Sequence, residues 1–387
     1  MARQTARLRV PFNDVRVQNQ RLRAELDAAI QAVIDDGRFE LGREVYEFEA
    51  AFAAYCGVRD AVSVHSGTAA LHVVLLAMGI GAGDEVITVA NTDMSTVAAI
   101  RFTGARPVLV DIDASSLNMD PEALAAAISP RTKAIMPVHM YGRPAEMAPI
   151  LHVARDHRLL VVEDAALATG ATYRGARTGT LGDAAGFSFA PGKVLGAFGW
   201  GGMITTGDSE VARRARMFRA YGEDPEQYPP PAAGFRFAGL HPDVVGWNVR
   251  IDAIQAAVLL VKLRHLEPSI EERRAIAERY RRGLAGLPVV VPDDPPHMRC
   301  VYRNVVIRIQ HRDAVRRALY DAGIPTGTHY IPPVHLQPAY HDLGYVKGSL
   351  PETERAADEL LTLPIYPGMP DGDVDVVVGE IARLVSR

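Results

Sequence analysis

Cysteine, net positive charge and long apolar runs are all scarce in this 387-residue sequence. Its two cysteines, Cys56 and Cys300, lie far apart, which argues against a disulfide framework or a thiolate metal site. The formal net charge of −4 provides no basic field for nucleic acid or an anionic membrane. No apolar run reaches membrane-spanning length, and residues 1–14 contain no apolar signal region. We therefore expect a reduced, cytoplasmic protein that needs no metal, membrane or nucleic acid.

Short apolar runs alternate with helix-length segments through the first half of the chain. This order predicts an α/β protein with a mainly parallel central sheet and helices on both faces. The predicted strands are 61–64, 85–89, 106–110, 133–138 and 159–162. The length predicts two domains, and residues 1–14 have no core pattern of their own. We therefore expect an N-terminal arm over 1–14, a large domain over 15–250, and a smaller C-terminal α+β domain over 251–387 that includes the bridging helices. A segment rich in proline and glycine, 225–242, is long enough to be functional or mobile.

The loop after the first strand carries a candidate anion site. In parallel sheets, ligands bind at the carboxyl ends of strands. Here Ser66, Gly67 and Thr68 follow strand 61–64 and open a helix. Backbone N–H groups at a helix N-terminus, with a glycine that permits close approach, bind phosphate. The alternative is that Ser66 or Thr68 only caps the helix. The sequence has neither G-x-G-x-x-G nor G-x-x-x-x-G-K-[ST], so a dinucleotide fingerprint and a P-loop are not supported.

Two charged residues stand at later strand ends. Asp164 follows the apolar run 159–162, where a buried carboxylate needs a cation or a hydrogen-bond donor, or else becomes protonated. Lys193 lies between two short strands in a segment almost free of other charge, a setting that lowers an amine pKa for Schiff-base chemistry. Ser188 precedes it in the same segment and is placed to reach a phosphate. The alternatives are a helix-capping aspartate and an ordinary hairpin lysine.

These residues together match the needs of one cofactor. Pyridoxal 5′-phosphate (PLP) requires an anchor for its phosphate, an acid for its pyridine nitrogen and an amine for its aldehyde. No metal cluster and no Ser/His/Asp arrangement competes in the sequence. We therefore predict a PLP enzyme with Lys193 at its centre.

The chain also resembles a known family along nearly its whole length. The resemblance is carried by the stretches SGTAALHVVLLAMGIGAGDEVITVANT, GARPVLVDIDASSLNMDPEALAAAISPRTKAIMPVHMYG, VVEDAALATGA, GFSFAPGKVLGAFGWGG, GWNVRIDAIQAAVLLVKL and HYIPPVHLQPAYHDLGY. The chain resembles the DegT-like sugar aminotransferases, which are PLP-dependent and have the aspartate aminotransferase (fold type I) architecture. The fold implied is a PLP-dependent transferase fold of type I, with a smaller C-terminal α+β domain.

The resemblance assigns roles to individual residues. Lys193 would form the Schiff base and then move the proton, and Asp164 would pair with the pyridine nitrogen. The residues implied at the phosphate are Gly67, Thr68, Ser188 and, from the partner subunit of a homodimer with shared active sites, Asn248. His329 and Arg250 are candidates for the substrate pocket. The donor would be an amino acid, usually glutamate, and the acceptor a keto sugar on a nucleotide.

Three positions depart from the family pattern. Asp93 stands where an aromatic usually stacks on the cofactor ring, and Leu167 stands where a glutamine or histidine usually bonds its phenolic oxygen. Trp200 replaces an acid, and its indole is expected to close the pocket or to take over the stacking. These changes leave other readings open: a keto-cyclitol or other pathway ketone as acceptor, a PLP-dependent sugar dehydratase, or a PLP-binding regulatory protein without turnover. Relatives that are dehydratases carry histidine in place of the lysine, so Lys193 favours transamination.

Overall fold

The computed structural model describes residues 8–223 and 244–386. The proline- and glycine-rich segment 225–242 and the first seven residues of the predicted arm lie outside the described residues. None of the helices in the described ranges is long and apolar enough to cross a membrane.

The strands of the described chain form three sheets. In chain order they are β1 (Asp60–Val64), β2 (Glu85–Val89), β3 (Arg106–Val110), β4 (Thr132–Ile135), β5 (Leu160–Asp164), β6 (Thr172–Tyr173), β7 (Ala176–Arg177), β8 (Ala184–Ser188), β9 (Gly202–Thr206), β10 (Val289–Val290), β11 (Met298–Arg299), β12 (Val305–Ile309) and β13 (Leu360–Leu363). The central sheet has the order β1-β9-β8-β5-β4-β2-β3. Strand β9 pairs antiparallel with β1 and β8, and all other neighbouring strands of this sheet pair parallel. The predicted mainly parallel sheet is therefore confirmed.

Helices connect and cover these strands. The α-helices of the described residues are α1 (Val15–Arg21), α2 (Arg23–Asp36), α3 (Arg43–Cys56), α4 (Gly67–Ala77), α5 (Met94–Phe102), α6 (Pro121–Ala126), α7 (Met147–His157), α8 (Ser209–Arg219), α9 (Ala253–Arg264), α10 (Leu266–Leu284), α11 (Arg312–Asp321), α12 (Pro351–Glu359) and α13 (Asp371–Val385). Three short 3-10 helices span Met140–Gly142, Val334–Leu336 and Pro338–Leu343.

The alternation of side chains along the strands explains why both faces of the sheet are covered. On β1, Ala61 packs into the core formed with α3 and α9, whereas the next residue, Val62, packs into the core formed with α4, α5 and α8. On β8, Ala185 and Ala184 divide between the same two cores. Successive strand residues point to opposite faces, so a sheet buried on both sides needs apolar residues facing each side.

A second core lies in the C-terminal part of the chain. The antiparallel sheet β10-β12-β13 packs against α10, α11 and α13. The third sheet, β11-β6-β7, joins Met298–Arg299 to two short strands that follow β5.

Packing crosses the predicted domain boundaries at residues 14 and 250. Val10, in the predicted arm, is 0% exposed and belongs to the C-terminal core. Helix α9, assigned from the sequence to the smaller domain, contributes Ala253, Ala256 and Leu259 to the core under the central sheet. The strongly apolar sequence of α9 predicts that it is buried but not which core it joins, so the two boundaries stay predictions.

Candidate active site

Two predicted phosphate residues meet at one edge of the central sheet. The ends of β1 and β8 flank Gly202 of β9, because Val64 and Ser188 both pair with it. A Cβ atom on Gly202 would lie 2.3 Å from the Ser66 carbonyl oxygen, so only glycine permits this approach. On the other side, a Cβ atom on Gly67 would lie 2.6 Å from the Ser188 Cβ. The sheet register thus places the Ser66–Thr68 turn directly against Ser188.

The turn presents unused hydrogen-bond donors. Ser66 caps α4, its Oγ accepting from the Ala69 amide at 3.2 Å. The amides of Gly67 and Thr68 lie in the first turn of α4, where no helical carbonyl can accept from them. Within the described residues, the Thr68 and Ser188 hydroxyls have no hydrogen-bond partner. These donors converge on the positive end of a helix, which is suited to a phosphate group. Ser66 is therefore a helix cap, as the alternative predicted, and the phosphate role of Gly67 and Thr68 stays a prediction that their free donors favour.

Asp164 ends β5 at the same edge and is 4% exposed. Its Oδ2 accepts from the Thr96 hydroxyl at 2.7 Å and its Oδ1 from the Ala166 amide at 3.1 Å. Burial raises the pKa of the carboxyl, while the two hydrogen bonds and the Lys193 charge act in the opposite direction. A bound cation would complete the stabilisation of this carboxylate. Thr96 was missed from the sequence, because it lies inside α5 and no strand-end pattern marks it.

Lys193 lies in the loop after β8, with its amide donating to the Ala190 carbonyl at 2.9 Å. Its amine has no hydrogen bond or ion pair with any described residue. Burial and then the Arg303 charge lower the lysine pKa to about 8, although Asp164 and Asp93 oppose that shift. An amine with a pKa of about 8 is in part neutral at pH 7, as a nucleophilic lysine requires. The structure thus favours the Schiff-base reading of Lys193 over the hairpin-loop reading.

The C-terminal half contributes three side chains to the surroundings of Lys193. The Nδ1 of His329 lies 2.8 Å from the Thr362 Oγ1, within hydrogen-bond distance. The backbone carbonyl of His329 accepts a hydrogen bond from the Tyr141 hydroxyl at 2.8 Å. Burial and the charges of Arg303 and Lys193 lower the pKa of His329 to about 4, which makes it a neutral group at pH 7. Tyr330 and Arg303 lie close to His329, and neither was predicted from the sequence.

Asn248 and Arg250 lie apart from this cluster within the chain. Asn248 is exposed, and its Oδ1 accepts from the Arg250 Nε at 3.1 Å. The Arg250 guanidinium lies 3.6 Å from a Glu40 carboxylate oxygen and 5.5 Å from the centre of the Tyr221 ring. No contact in the described residues joins either side chain to Lys193. Within a single chain, the structure therefore does not bring these two predicted residues to the Lys193 cluster.

The chain matches the model of a known protein family. The model of the DegT/DnrJ/EryC1/StrS aminotransferase family matches residues 20–382. The chain belongs to this family. It is therefore a PLP-dependent aminotransferase, and its α/β fold is that of the PLP-dependent transferases, as predicted.

Individual relatives match over almost the whole chain. A "dTDP-3-amino-3,4,6-trideoxy-alpha-D-glucose transaminase" of Streptomyces venezuelae is 45% identical over 98% of this chain and 97% of its own. A "Pleiotropic regulatory protein" of Geobacillus stearothermophilus is 41% identical over 97% of this chain and 98% of its own. The solved structure of S. venezuelae DesV in complex with a ketimine intermediate is 43% identical, covers 98% of this chain and 99% of its own, and superposes with a TM-score of 0.92.

The residues of this aminotransferase fit PLP. The amides of Gly67 and Thr68 and the hydroxyl of Ser188 would hold the phosphate. Asp164 is a buried carboxylate with no ion pair among the described residues, and the protonated pyridine nitrogen would supply the cation. Lys193 offers an unpaired amine for the aldehyde. The described residues bring together no group of three metal-ligating side chains that would suit a metal instead.

The three departures from the family pattern are structurally distinct. Asp93 caps α5, and its Oδ1 accepts from the Ser95 amide at 3.0 Å and from the Ser95 hydroxyl at 2.6 Å. Leu167 is buried in an apolar cluster that includes Tyr141, with Tyr330 packed against it. Trp200 is 69% exposed, so in the single chain its indole does not close over Lys193 as predicted. The sequence placed Trp200 near the lysine but held no information on which way its side chain points.

Proposed function

We propose that this aminotransferase moves an amino group from an amino acid, with glutamate as the first candidate, to the carbonyl carbon of a nucleotide-linked keto sugar. The observation that carries the chemistry is the unpaired Lys193 amine beside the buried Asp164 carboxylate. The substrate class rests on the S. venezuelae relative, whose name specifies a dTDP-linked amino sugar.

The chain's own residues account for the proton movements. When bound, PLP supplies an electron sink that makes a proton on the donor's amine-bearing carbon removable. Lys193, with a pKa of about 8, accepts and returns that proton near neutral pH. Asp164 keeps the proton on the ring nitrogen, because its carboxylate is buried where no water competes. His329 remains neutral and so adds no further positive charge.

The test is a coupled assay with purified holoenzyme. L-glutamate and a dTDP-linked 3-keto sugar are expected to yield 2-oxoglutarate and a sugar in which an amine replaces the carbonyl oxygen, detected by mass spectrometry. A keto-cyclitol in the same assay examines the alternative acceptor, and loss of water from the sugar would indicate a dehydratase. If no amino acid yields its 2-oxo acid with any of these ketones, the proposal is wrong.

The proposed active site is shared between the subunits of a homodimer. Large apolar side chains are exposed in the Lys193 loop and the GWN segment, notably Phe198, Trp200 and Trp247, and a partner subunit would cover them. Asn248 is exposed in the same segment and would reach the partner's phosphate site. Mixing Lys193→Ala with Asn248→Ala subunits is expected to restore activity above the mean of the two, because a hybrid dimer contains one intact site. A monomer by sedimentation, or no gain on mixing, would contradict this arrangement.

Both cysteines are free, buried thiols, which supports the proposed location in the reducing cytoplasm.

A further inference from the structure

Arg303 is fixed at the junction between the central sheet and the C-terminal core. The amide of Val301 donates to the Gly142 carbonyl at 2.9 Å, and the amide of Asn304 donates to the Tyr141 carbonyl at 3.2 Å. These two hydrogen bonds flank Arg303 on both sides. Its backbone is therefore held against the turn that also supports His329 through the Tyr141 hydroxyl.

The guanidinium of Arg303 reaches the loop that carries Lys193. A Cβ atom on Gly192 would lie 3.0 Å from the Arg303 Nη2, so the guanidinium lies directly against the backbone of this loop. Gly192 is the residue before Lys193. The positive charge is close enough to lower the pKa of both Lys193 and His329.

This guanidinium has no anion. Within the described residues it makes no ion pair and no hydrogen bond, and its Nε is buried without a partner. The two nearby carboxylates form no ion pair with it and accept other hydrogen bonds, Asp93 from Ser95 and Asp164 from Thr96. Arg308, farther along the same segment, shows the usual solution, with its Nε 2.7 Å from a Glu359 oxygen. Leaving a buried guanidinium unpaired is costly, so an anionic ligand is expected to complete it.

We propose that Arg303 binds the α-carboxylate of the amino-acid donor, an inference that rests on the proposed transaminase function. The carbon of the α-carboxylate is two bonds from the donor's nitrogen. That nitrogen must reach the aldehyde carbon of the cofactor, to which the Lys193 amine would be bound. A group beside the Lys193 loop is therefore within reach of that carboxylate, whereas the nearest phosphorus of a nucleotide-linked 3-keto sugar lies four bonds from the reacting carbonyl carbon. The cofactor phosphate has its own donors at Gly67, Thr68 and Ser188. Arginine also suits a carboxylate, because its planar fork forms two parallel hydrogen bonds.

The experiment compares L-glutamate with two analogues that each lack one group. 4-Aminobutanoate lacks the α-carboxylate, and glutarate lacks the amine. In single-turnover measurements on the holoenzyme, Arg303→Gln is expected to lower the second-order rate with L-glutamate by at least about 100-fold and to change that with 4-aminobutanoate by less than about threefold. The second half-reaction, from the aminated enzyme to the keto sugar, is expected to change by less than about threefold, as with 4-aminobutanoate, because it involves no α-carboxylate and is affected only through the Lys193 pKa.

Glutarate binding by calorimetry gives a readout that needs no turnover. We expect Arg303→Gln to weaken glutarate binding by at least about tenfold. Arg303→Lys keeps the positive charge but loses the planar guanidinium, so its glutarate affinity should lie between those of Arg303→Gln and the original chain. Arg101→Gln is the matched control, because Arg101 pairs with Asp342 on the surface and should leave glutarate binding unchanged.

Two results would overturn the inference. One is an equal loss of rate with L-glutamate and 4-aminobutanoate in a folded Arg303→Gln protein, which would make Arg303 a structural residue. The other is unchanged glutarate affinity in both Arg303 variants. If instead the original enzyme transfers no amine from any amino acid, the proposed function fails, and glutarate calorimetry still decides whether Arg303 binds a carboxylate. If Arg303→Gln does not fold, Arg303→Lys provides the comparison.

Discussion

Two buried lysines of this protein have the same lowered pKa but very different surroundings. Burial lowers the pKa of both Lys193 and Lys262 to about 8. Lys262, on α9, is 3% exposed, donates from its Nζ to the Gly196 carbonyl at 2.8 Å and lies 4.8 Å from the centre of the Phe198 ring. Lys193 has no such partner among the described residues and lies near carboxylates and an arginine. A lowered pKa alone therefore does not mark a Schiff-base lysine; an unpaired amine among charged groups does.

The two lysines act on the same loop. Gly196, which Lys262 holds, comes three residues after Lys193. We infer that Lys193 performs the chemistry while Lys262 fixes the loop that presents it. Each of the following variants changes either Lys193 and its surroundings or Lys262.

The largest effect is expected from Lys193→Ala. Loss of the amine removes both the Schiff base and the group that moves the proton, so turnover should fall by at least about 10⁴-fold. Borohydride treatment of the PLP-loaded protein should leave the cofactor covalently bound in the original chain and release it from the variant. Covalent attachment in Lys193→Ala would show that another lysine, such as Lys262, forms the Schiff base.

Removing the charge of Asp164 is expected to cost less. In Asp164→Asn the pyridine nitrogen loses a charged hydrogen bond, worth about 1.5–3 kcal/mol, which corresponds to about 10–150-fold in PLP affinity. Thr96→Val, which removes only the hydroxyl that supports Asp164, should give a smaller loss. Equilibrium binding of PLP, followed by absorbance, measures both. If Thr96→Val weakens PLP binding more than Asp164→Asn, the pyridine nitrogen is not held by Asp164.

The sheet side of the site was largely predictable from the sequence. Gly67, Asp164 and Ser188 each follow or end a strand of one parallel sheet, and the strand pattern places such ends at one edge. Local order is enough in this region, because each functional residue is close in sequence to the element that positions it. The mainly parallel sheet was predicted for the same reason, from the alternation of strands and helices.

The opposite side of the site was not predictable in this way. Arg303 lies far along the chain from Lys193, and the contacts that aim it, with Gly142 and Gly192, join three distant segments. Thr96 lies within a helix, and Lys262 looks in the sequence like a break in an apolar run. The orientation of Trp200 and the core that α9 joins both depend on tertiary packing. A single sequence does not record which distant segments meet, so these residues appear only in the folded chain.

The substitution Lys262→Met is expected to change stability rather than chemistry. A lysine whose pKa falls from 10.5 when unfolded to about 8 when folded binds fewer protons in the folded state between those values. The unfolded state then binds more protons, so the free energy of unfolding rises with pH between about 8 and 10.5. Without Lys262 this slope should decrease by up to about 1.4 kcal/mol per pH unit.

Urea denaturation at several pH values measures that slope, with turnover at pH 7 as the companion measurement. We expect turnover to remain within about threefold of the original, because Lys262 contacts the loop at Gly196 and not at Lys193. An unchanged slope would mean that Lys262 titrates at its ordinary pKa.

The smallest effects concern the neighbours of Lys193. Asp93 raises the pKa of Lys193 and Arg303 lowers it, so Asp93→Asn should move that pKa below about 8 and Arg303→Gln should move it above. Asparagine still caps α5, which separates the charge from the cap. The pH dependence of reductive methylation in the cofactor-free protein, read by mass spectrometry at each lysine, measures both values. The pKa of Lys262 serves as the internal control, because its shift comes from burial alone and should not change in either variant. Shifts of Lys193 in the same direction in both variants would contradict the electrostatic account, since two neighbours of opposite charge must act in opposite directions.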